Sequence, residues 1–200
     1  MLKYKVLFLL IFFSPLSFKV YGNSYSVSEI TSRAEKGDNL SQLDLGYLYF
    51  NGWGVNQDFS KSFYWFQKSA EQGNIEAQKS LYRMSWLGKG VRQSYQQGVF
   101  WLQKAAEGKD VESQRKLGDL YLSDWVGKND SVYKDHEKAI YWLKLASKTG
   151  DGKSLLSLGN FYLSGNDGTK NKEVAMDYYR RSCNSGEELG CIMYNNLNKK

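Results

Sequence analysis

The feature that most limits what this chain can fold into is a segment written four times. Ser62-Phe63-Tyr64-Trp65-Phe66-Gln67-Lys68-Ser69-Ala70 returns as Gly98-Val99-Phe100-Trp101-Leu102-Gln103-Lys104-Ala105-Ala106. It returns again as Ala139-Ile140-Tyr141-Trp142-Leu143-Lys144-Leu145-Ala146-Ser147, and finally as Ala175-Met176-Asp177-Tyr178-Tyr179-Arg180-Arg181-Ser182-Cys183. The steps between copies are 36, 41 and 36 residues. A second column keeps the same spacing: Leu45-Gly46-Tyr47-Leu48-Tyr49, the worn copy Leu81-Tyr82-Arg83-Met84-Ser85, Leu117-Gly118-Asp119-Leu120-Tyr121 and Leu158-Gly159-Asn160-Phe161-Tyr162. Two columns sharing one period of this length specify stacked supersecondary units.

Each unit reads as two amphipathic helices, A and B. Leu45, Leu48 and Tyr49 fall at i, i+3, i+4, and Phe63, Phe66 and Ala70 repeat the pattern. A glycine-rich turn joins them, Asn51-Gly52-Trp53-Gly54-Val55 or Leu87-Gly88-Lys89-Gly90-Val91. Helix B is expected to end at Gly73, Gly150 or Gly186, with Gly108 one residue early in the second copy. Gly46, Gly118 and Gly159 lie inside helix A, where glycine costs about 1 kcal/mol against alanine. Close approach of helix B is the expected compensation. A hairpin this short cannot bury both its faces, so the units stack, giving an all-α solenoid of helical hairpins.

The residues Gly52-Trp53-Gly54-Val55, Asp58, Lys61, Trp65, Lys68, Ala70 and Gly73 resemble the Sel-one-like repeat, a relative of the tetratricopeptide repeat. The resemblance implies about four repeats with partial capping units. A signal segment is expected at 1–22, a partial unit at 23–38, and repeats at 39–73, 74–109, 110–150 (with an insertion) and 151–186, then a capping helix at 187–200. The third and fourth copies lose Gly-x-Gly-Val, becoming Asp124-Trp125-Val126-Gly127 and Gly165-Asn166-Asp167-Gly168, so their turns are expected to differ.

At the start, Lys3 and Lys5 precede an unbroken apolar run from Val6 to Phe13, Pro15 breaks it, and Val20-Tyr21-Gly22 offers a cleavage site before Asn23. That is the pattern of a secretory signal peptide, and the run is about half of the ~20 residues a membrane span needs. No cysteine stands near the cleavage site for lipid attachment. The formal charge of +6 contains Lys3, Lys5 and Lys19; without them 24 basic side chains face 21 acidic ones. So small an excess gives no reason to expect nucleic acid or an anionic membrane as partner.

Cys183 and Cys191 are eight apart, across Gly186. One falls in the last turn of a helix B and the other in the first turn of the following helix A. Neighbouring helices across so tight a turn bring Cα atoms into the range a disulfide needs, and an exported protein meets oxidising conditions. The competing reading, two separate thiols, suits Cys183 but not Cys191, whose column is mostly Gln. A link closing so small a loop is worth about 2–3 kcal/mol. The spacing also resembles cysteine-rich secreted members of the repeat family.

One histidine and two cysteines leave little for a metal site, no phosphate loop is present, and no cofactor is expected. His136, beside Asp135 and Glu137 at the start of a helix B, is expected to be a solvated helix-start residue. No nucleophile–base pair is apparent, which points away from an enzyme. Trp65, Trp101 and Trp142 share a repeat column and belong to the core. Trp53 and Trp125 fall in inter-helix turns and are candidate anchors for a partner. Trp86 aligns with Phe50 on helix A, the element that lines the inner side of such solenoids. Tyr47, Arg83, Asp119 and Asn160 form the variable column after Leu-Gly, the place for a recognition surface on a regular scaffold. The insertion Gly127 to Lys134 emerges on one side of the third unit, and Asn39-Leu40-Ser41 and Asn129-Asp130-Ser131 are glycosylation-type sequons.

The family resemblance implies a periplasmic or secreted, non-catalytic scaffold, inhibitor or adaptor in the bacterial envelope. Its partner would be another protein: an envelope enzyme, an effector or a component of a complex. Some relatives are immunity proteins that neutralise lipase-type effectors. Cysteine-containing relatives are linked with penicillin or cell-wall fragments, which would imply weak binding or hydrolase activity instead.

Overall fold

The computed structural model describes residues 18–20, 23–123, 134–165 and 170–199. The expected signal segment lies largely outside these residues, as do Trp125, most of the insertion, the second sequon and part of the fourth turn. Two short strands, β1 (Phe18–Val20) and β2 (Asn23–Tyr25), pair antiparallel with Phe18 opposite Tyr25. Ten helices follow among the described residues: α1 (Val27–Glu35), α2 (Asn39–Asn51), α3 (Phe59–Glu71), α4 (Ile75–Leu87) and α5 (Tyr95–Glu107). Then come α6 (Val111–Leu122), α7 (His136–Ser147), α8 (Gly152–Ser164), α9 (Lys172–Asn184) and α10 (Glu188–Asn198). Each helix packs on its neighbours in sequence. The pairs α2/α3, α4/α5, α6/α7 and α8/α9 are the four hairpins; α1 is a lone helix B and α10 a lone helix A.

The helix starts are written in the sequence. Asp38, Asp58, Asn74, Ser94, Asp110, Asp135, Asp151 and Asn171 each accept a hydrogen bond from the backbone N–H three residues on. Such a cap is worth about 1 kcal/mol. Within every hairpin the same backbone bond closes the turn, from Asp58 N to Tyr49 O, Ser94 N to Ser85 O, Asp135 N to Tyr121 O and Asn171 N to Tyr162 O, at 2.9–3.0 Å. The bond survives in the third and fourth units, whose turn sequences differ. Helix α8 still ends on a left-handed glycine, Gly165 (φ 64°), as α2 ends on Gly52 and α4 on Gly88, whereas α6 ends on Ser123 at φ −77°.

Helix B approaches helix A where glycine permits it. A Cβ on Gly46 would stand 2.5 Å from Phe66, one on Gly118 2.6 Å from Leu143, and one on Gly159 2.6 Å from Tyr179. Between units the expectation needs one correction. The left-handed residue that ends helix B is Gly73, Gly150 and Gly186 in three copies, but in the second it is Lys109 (φ 69°), not Gly108 (φ −69°). The register of the turn is kept and a lysine carries the strained conformation, at a cost of roughly 1–2 kcal/mol.

The units are also clasped to one another. Gln42, Gln78 and Gln114 occupy the fourth position of their A helices and donate through Nε2 to Ala34 O, Ala70 O and Ala106 O of the preceding B helix, at 3.1–3.2 Å. The fourth junction replaces the glutamine with buried Leu155. The fifth replaces glutamine and alanine with Cys191 and Cys183, whose sulfurs stand 1.94 Å apart with Cα atoms at 4.4 Å. Ion pairs supplement the middle junctions: Lys79 Nζ reaches Glu112 (3.3 Å) and Asp110 (3.8 Å), and Arg115 Nε reaches Asp151 (3.6 Å). Glu112, held by Lys116 and Lys79, has its carboxyl pulled down to about 2. Asn39 is likewise engaged, accepting from Ser69 Oγ (3.0 Å) and from Asn74 Nδ2 (2.9 Å), so its sequon side chain is a structural clasp.

Candidate functional site

Adjacent A helices lie side by side and leave a groove wherever their facing residues do not fill it. The first runs between α2 and α4 and encloses about 80 Å³. Tyr47 and Phe50, three apart on α2, form one wall; Ser80, Arg83, Met84 and Leu87, on a single face of α4, form the other; Phe66 of α3 supplies the floor. Tyr47 sets its ring edge-on to Phe66 (4.9 Å) and its hydroxyl 3.3 Å from Ser80 Oγ, fixing the spacing of the walls.

Lys89 closes one end. The left-handed Gly88 turns the chain back, Lys89 N donates to Met84 O (2.9 Å), and the ammonium rests over the rings of Phe50 (5.3 Å) and Phe59 (5.2 Å). Arg83 stands exposed beside Leu87, which is 62% exposed, and no carboxylate pairs with this guanidinium among the described residues. The groove therefore offers an apolar, partly aromatic trough with two cations at its rim and no acidic lining residue. Among the described residues no group of three or more His, Cys, Asp or Glu is placed to hold a metal ion.

Two repeats further along, the corresponding groove lies between α6 and α8, a wider opening of about 270 Å³. Its lining is Leu122, His136, Ser157, Asn160, Phe161 and Ser164. Asp119, at the position of Tyr47, accepts from Ser157 Oγ at 2.7 Å. Dehydration pushes the Asp119 carboxyl up, against the opposing pull of Ser157 and Arg115. Asn160, at the position of Arg83, accepts from the Tyr179 hydroxyl (2.8 Å), whose own pKa burial pushes up to about 12. His136 differs from expectation: it is half-buried, its ring edge-on to Phe161 at 5.3 Å, because the neighbouring A helix covers the start of α7.

The structure thus brings Tyr47 and Arg83 into one groove and places Asp119 beside its counterpart. Trp86, repeat partner of Phe50, is wedged between Tyr82 (5.5 Å) and Tyr95 (4.9 Å) and serves inter-helix packing. Trp53 is 47% exposed in the turn after α2 and does not line the groove. Trp101 and Trp142 are buried, while Trp65 is half-buried against the core formed by Ile30, Ala34, Leu45 and Leu48. The sequence reading took Phe50 only as the repeat counterpart of Trp86 and passed over Leu87 and Lys89 as site residues. Leu87 lies four residues after Arg83, on the same helical face, and that spacing was the available signal. It also passed over Tyr64, Phe100 and Tyr141, each about half exposed and stacked edge-on against the following tryptophan at 5.0 Å.

Comparison with known proteins gives the scaffold its relatives. The Sel1 repeat model matches residues 39–74, 78–110, 111–151 and 152–187. A solved structure of c5321, a protective antigen of uropathogenic Escherichia coli displaying an SLR fold, is 30% identical over 84% of this chain and 35% of its own, with a TM-score of 0.69. A Sel1 repeat protein from Oxalobacter formigenes is 27% identical over 86% of this chain and 48% of its own, at a TM-score of 0.67. The chain thus spans about a third to a half of the length of these two proteins. No curated protein matches the sequence.

Proposed function

The chain belongs to the Sel1 repeat family, and from that premise we propose that it is an exported, non-catalytic scaffold that binds another protein in the bacterial envelope through the face formed by its A helices. The observation that carries this reading is the contrast between an invariant frame and a changing column. Hairpin-closing bonds and N-caps recur in all four units, while Tyr47, Arg83, Asp119 and Asn160 differ in size and charge at one position. Stacked repeats bind by such side chains on a rigid, extended surface, with no covalent step.

Export is supported by the charged-then-apolar start of the sequence and by a cysteine pair geometrically able to form a disulfide, which suits an oxidising compartment. Among the described residues no helix is long and apolar enough to cross a membrane. Inhibition of an enzyme, such as a secreted lipase-type effector, is a form of this role that needs only occlusion and no chemistry from the scaffold.

The test is affinity purification of the tagged full chain from the envelope, followed by mass spectrometry and reconstitution with purified components. A single protein recovered in stoichiometric amount and bound directly is the expected result. Absence of any stoichiometric partner, or turnover of a chromogenic β-lactam above buffer, contradicts the proposal.

A further inference from the structure

We infer that the groove between α2 and α4 takes one apolar side chain of a partner protein together with an acidic residue adjacent to it, so that the recognised segment is an acidic–apolar stretch of polypeptide. This rests on the scaffold reading above and names the chemistry of the partner.

Three observations on the groove converge. Its volume of about 80 Å³ is several times the ~10–15 Å³ one water needs, and its walls of Tyr47, Phe50, Phe66, Met84 and Leu87 suit a leucine or phenylalanine side chain. Leu87 stands largely in solvent beside this trough, the arrangement of an interface anchor still uncovered. Arg83 and Lys89 flank it with no acid among the lining residues; Lys89 already rests on two rings, whereas the Arg83 fork has no carboxylate. A planar guanidinium at the edge of an apolar site pairs best with a carboxylate, through two parallel hydrogen bonds.

The second groove supplies the discrimination. At the same repeat positions it has Asn160 for Arg83, Ser164 for Leu87 and Leu122 for Phe50, and Asp119 stands where Tyr47 does. Among the described residues the second groove has no lysine or arginine in its lining, and Asp119 beside it is already engaged by Ser157 and Arg115. A segment carrying carboxylates therefore finds its cations only at the first groove and is held in one register along the A face.

The test uses ¹⁵N-labelled full chain, oxidised, and two pools of capped octapeptides. One pool holds a fixed Phe-Glu or Leu-Glu pair in randomised neutral flanks; the other holds Phe-Lys or Leu-Lys in the same flanks. The acidic pool is expected to shift the amides of Tyr47, Phe50, Arg83 and Leu87, with at least tenfold weaker binding of the basic pool. Arg83→Glu combined with Lys89→Glu, both on exposed side chains, is expected to abolish that preference while leaving the remaining spectrum in place; Leu87→Ser is expected to weaken the acidic pool about tenfold.

Equal shifts by both pools, no shift, or shifts centred on α6 and α8 overturn the inference. If the wild-type chain captures a protein from the envelope and the doubly reversed variant captures it equally well, the inference fails and the scaffold reading stands. If no partner is captured, the scaffold reading fails whatever the peptides do.

Discussion

Between α2 and α4 the groove-lining positions carry Phe50, Arg83 and Leu87; between α6 and α8 the same positions carry Leu122, Asn160 and Ser164. The two halves also differ in how their units are joined. The first three junctions use a glutamine amide on a backbone carbonyl, the fourth an apolar contact through Leu155, and the last the Cys183–Cys191 pair. The hairpins themselves hardly differ, down to the bond that closes each turn. Two kinds of position therefore change on this frame: the junction, which tunes local stability, and the variable A column, which on the proposed reading sets what the surface attracts. In a solenoid each unit contacts only its neighbours, so both can change locally.

Perturbing the two halves separately sharpens that contrast. The largest effect is expected from Cys183→Ser with Cys191→Ser, which should cost about 2–3 kcal/mol. Hydrogen exchange should locate the loss in α9 and α10 and leave α2 to α5 protected. Uniform deprotection would show that the chain unfolds as one block, and mass mapping that finds two free thiols would remove the link itself. Next comes Gln78→Leu, expected to cost about 1 kcal/mol in urea unfolding because Ala70 O loses one of its donors. The reciprocal change, Leu155→Gln, is expected to be milder than Leu155→Ala, since the new amide can reach Ser147 O in the manner of its counterparts. If Leu155→Gln is as damaging as alanine, the clasp is not a transferable part.

Lys109→Gly should raise stability by about 1 kcal/mol, read as a higher urea midpoint at unchanged slope, because glycine adopts the left-handed turn without strain. The same change at exposed Lys148, a residue with right-handed φ, should instead destabilise.

The smallest effect concerns Asp44, whose carboxyl is pushed up to about 6 by dehydration and by Asp38, with Arg33 opposing. The folded protein then holds this proton more tightly than the unfolded chain, where the group titrates near 3.8. Stability from this group falls as pH rises from about 4 to about 6 and stays lower above. Asp44→Asn should therefore stabilise at pH 7 by less than about 1 kcal/mol, given its contact with solvent, and be neutral at pH 4.

Much of the fold was legible because the period is long and its landmarks are chemically distinct. The tryptophan column and the Leu-Gly column, with partial units at either end, accounted for the ten helices among the described residues without reference to contacts, and the glycines inside helix A announced the close approach of helix B that Phe66, Leu143 and Tyr179 make. The junction clasps were less legible. The glutamine column was visible as a column, but its donor reaches a backbone carbonyl eight residues earlier, and carbonyls leave no mark in a sequence. Lys109 shows that turn register can outweigh a glycine one residue away. In the candidate site, Tyr47 and Arg83 were found as variable positions. Leu87 and Lys89 were hidden by reading Leu87-Gly88-Lys89-Gly90 only as a turn. Trp86 packs inward because Tyr82 and Tyr95 flank it, a pairing that spans two helices.

The most direct measurement places a photo-crosslinking phenylalanine analogue at position 87 and, in a separate protein, at its repeat counterpart 164, each in the full chain irradiated in the envelope. The account predicts one discrete protein adduct from position 87, little or none from position 164, and loss of the first when Arg83 is changed to Glu. Adducts from 164 alone, or equal adducts from both, would contradict it.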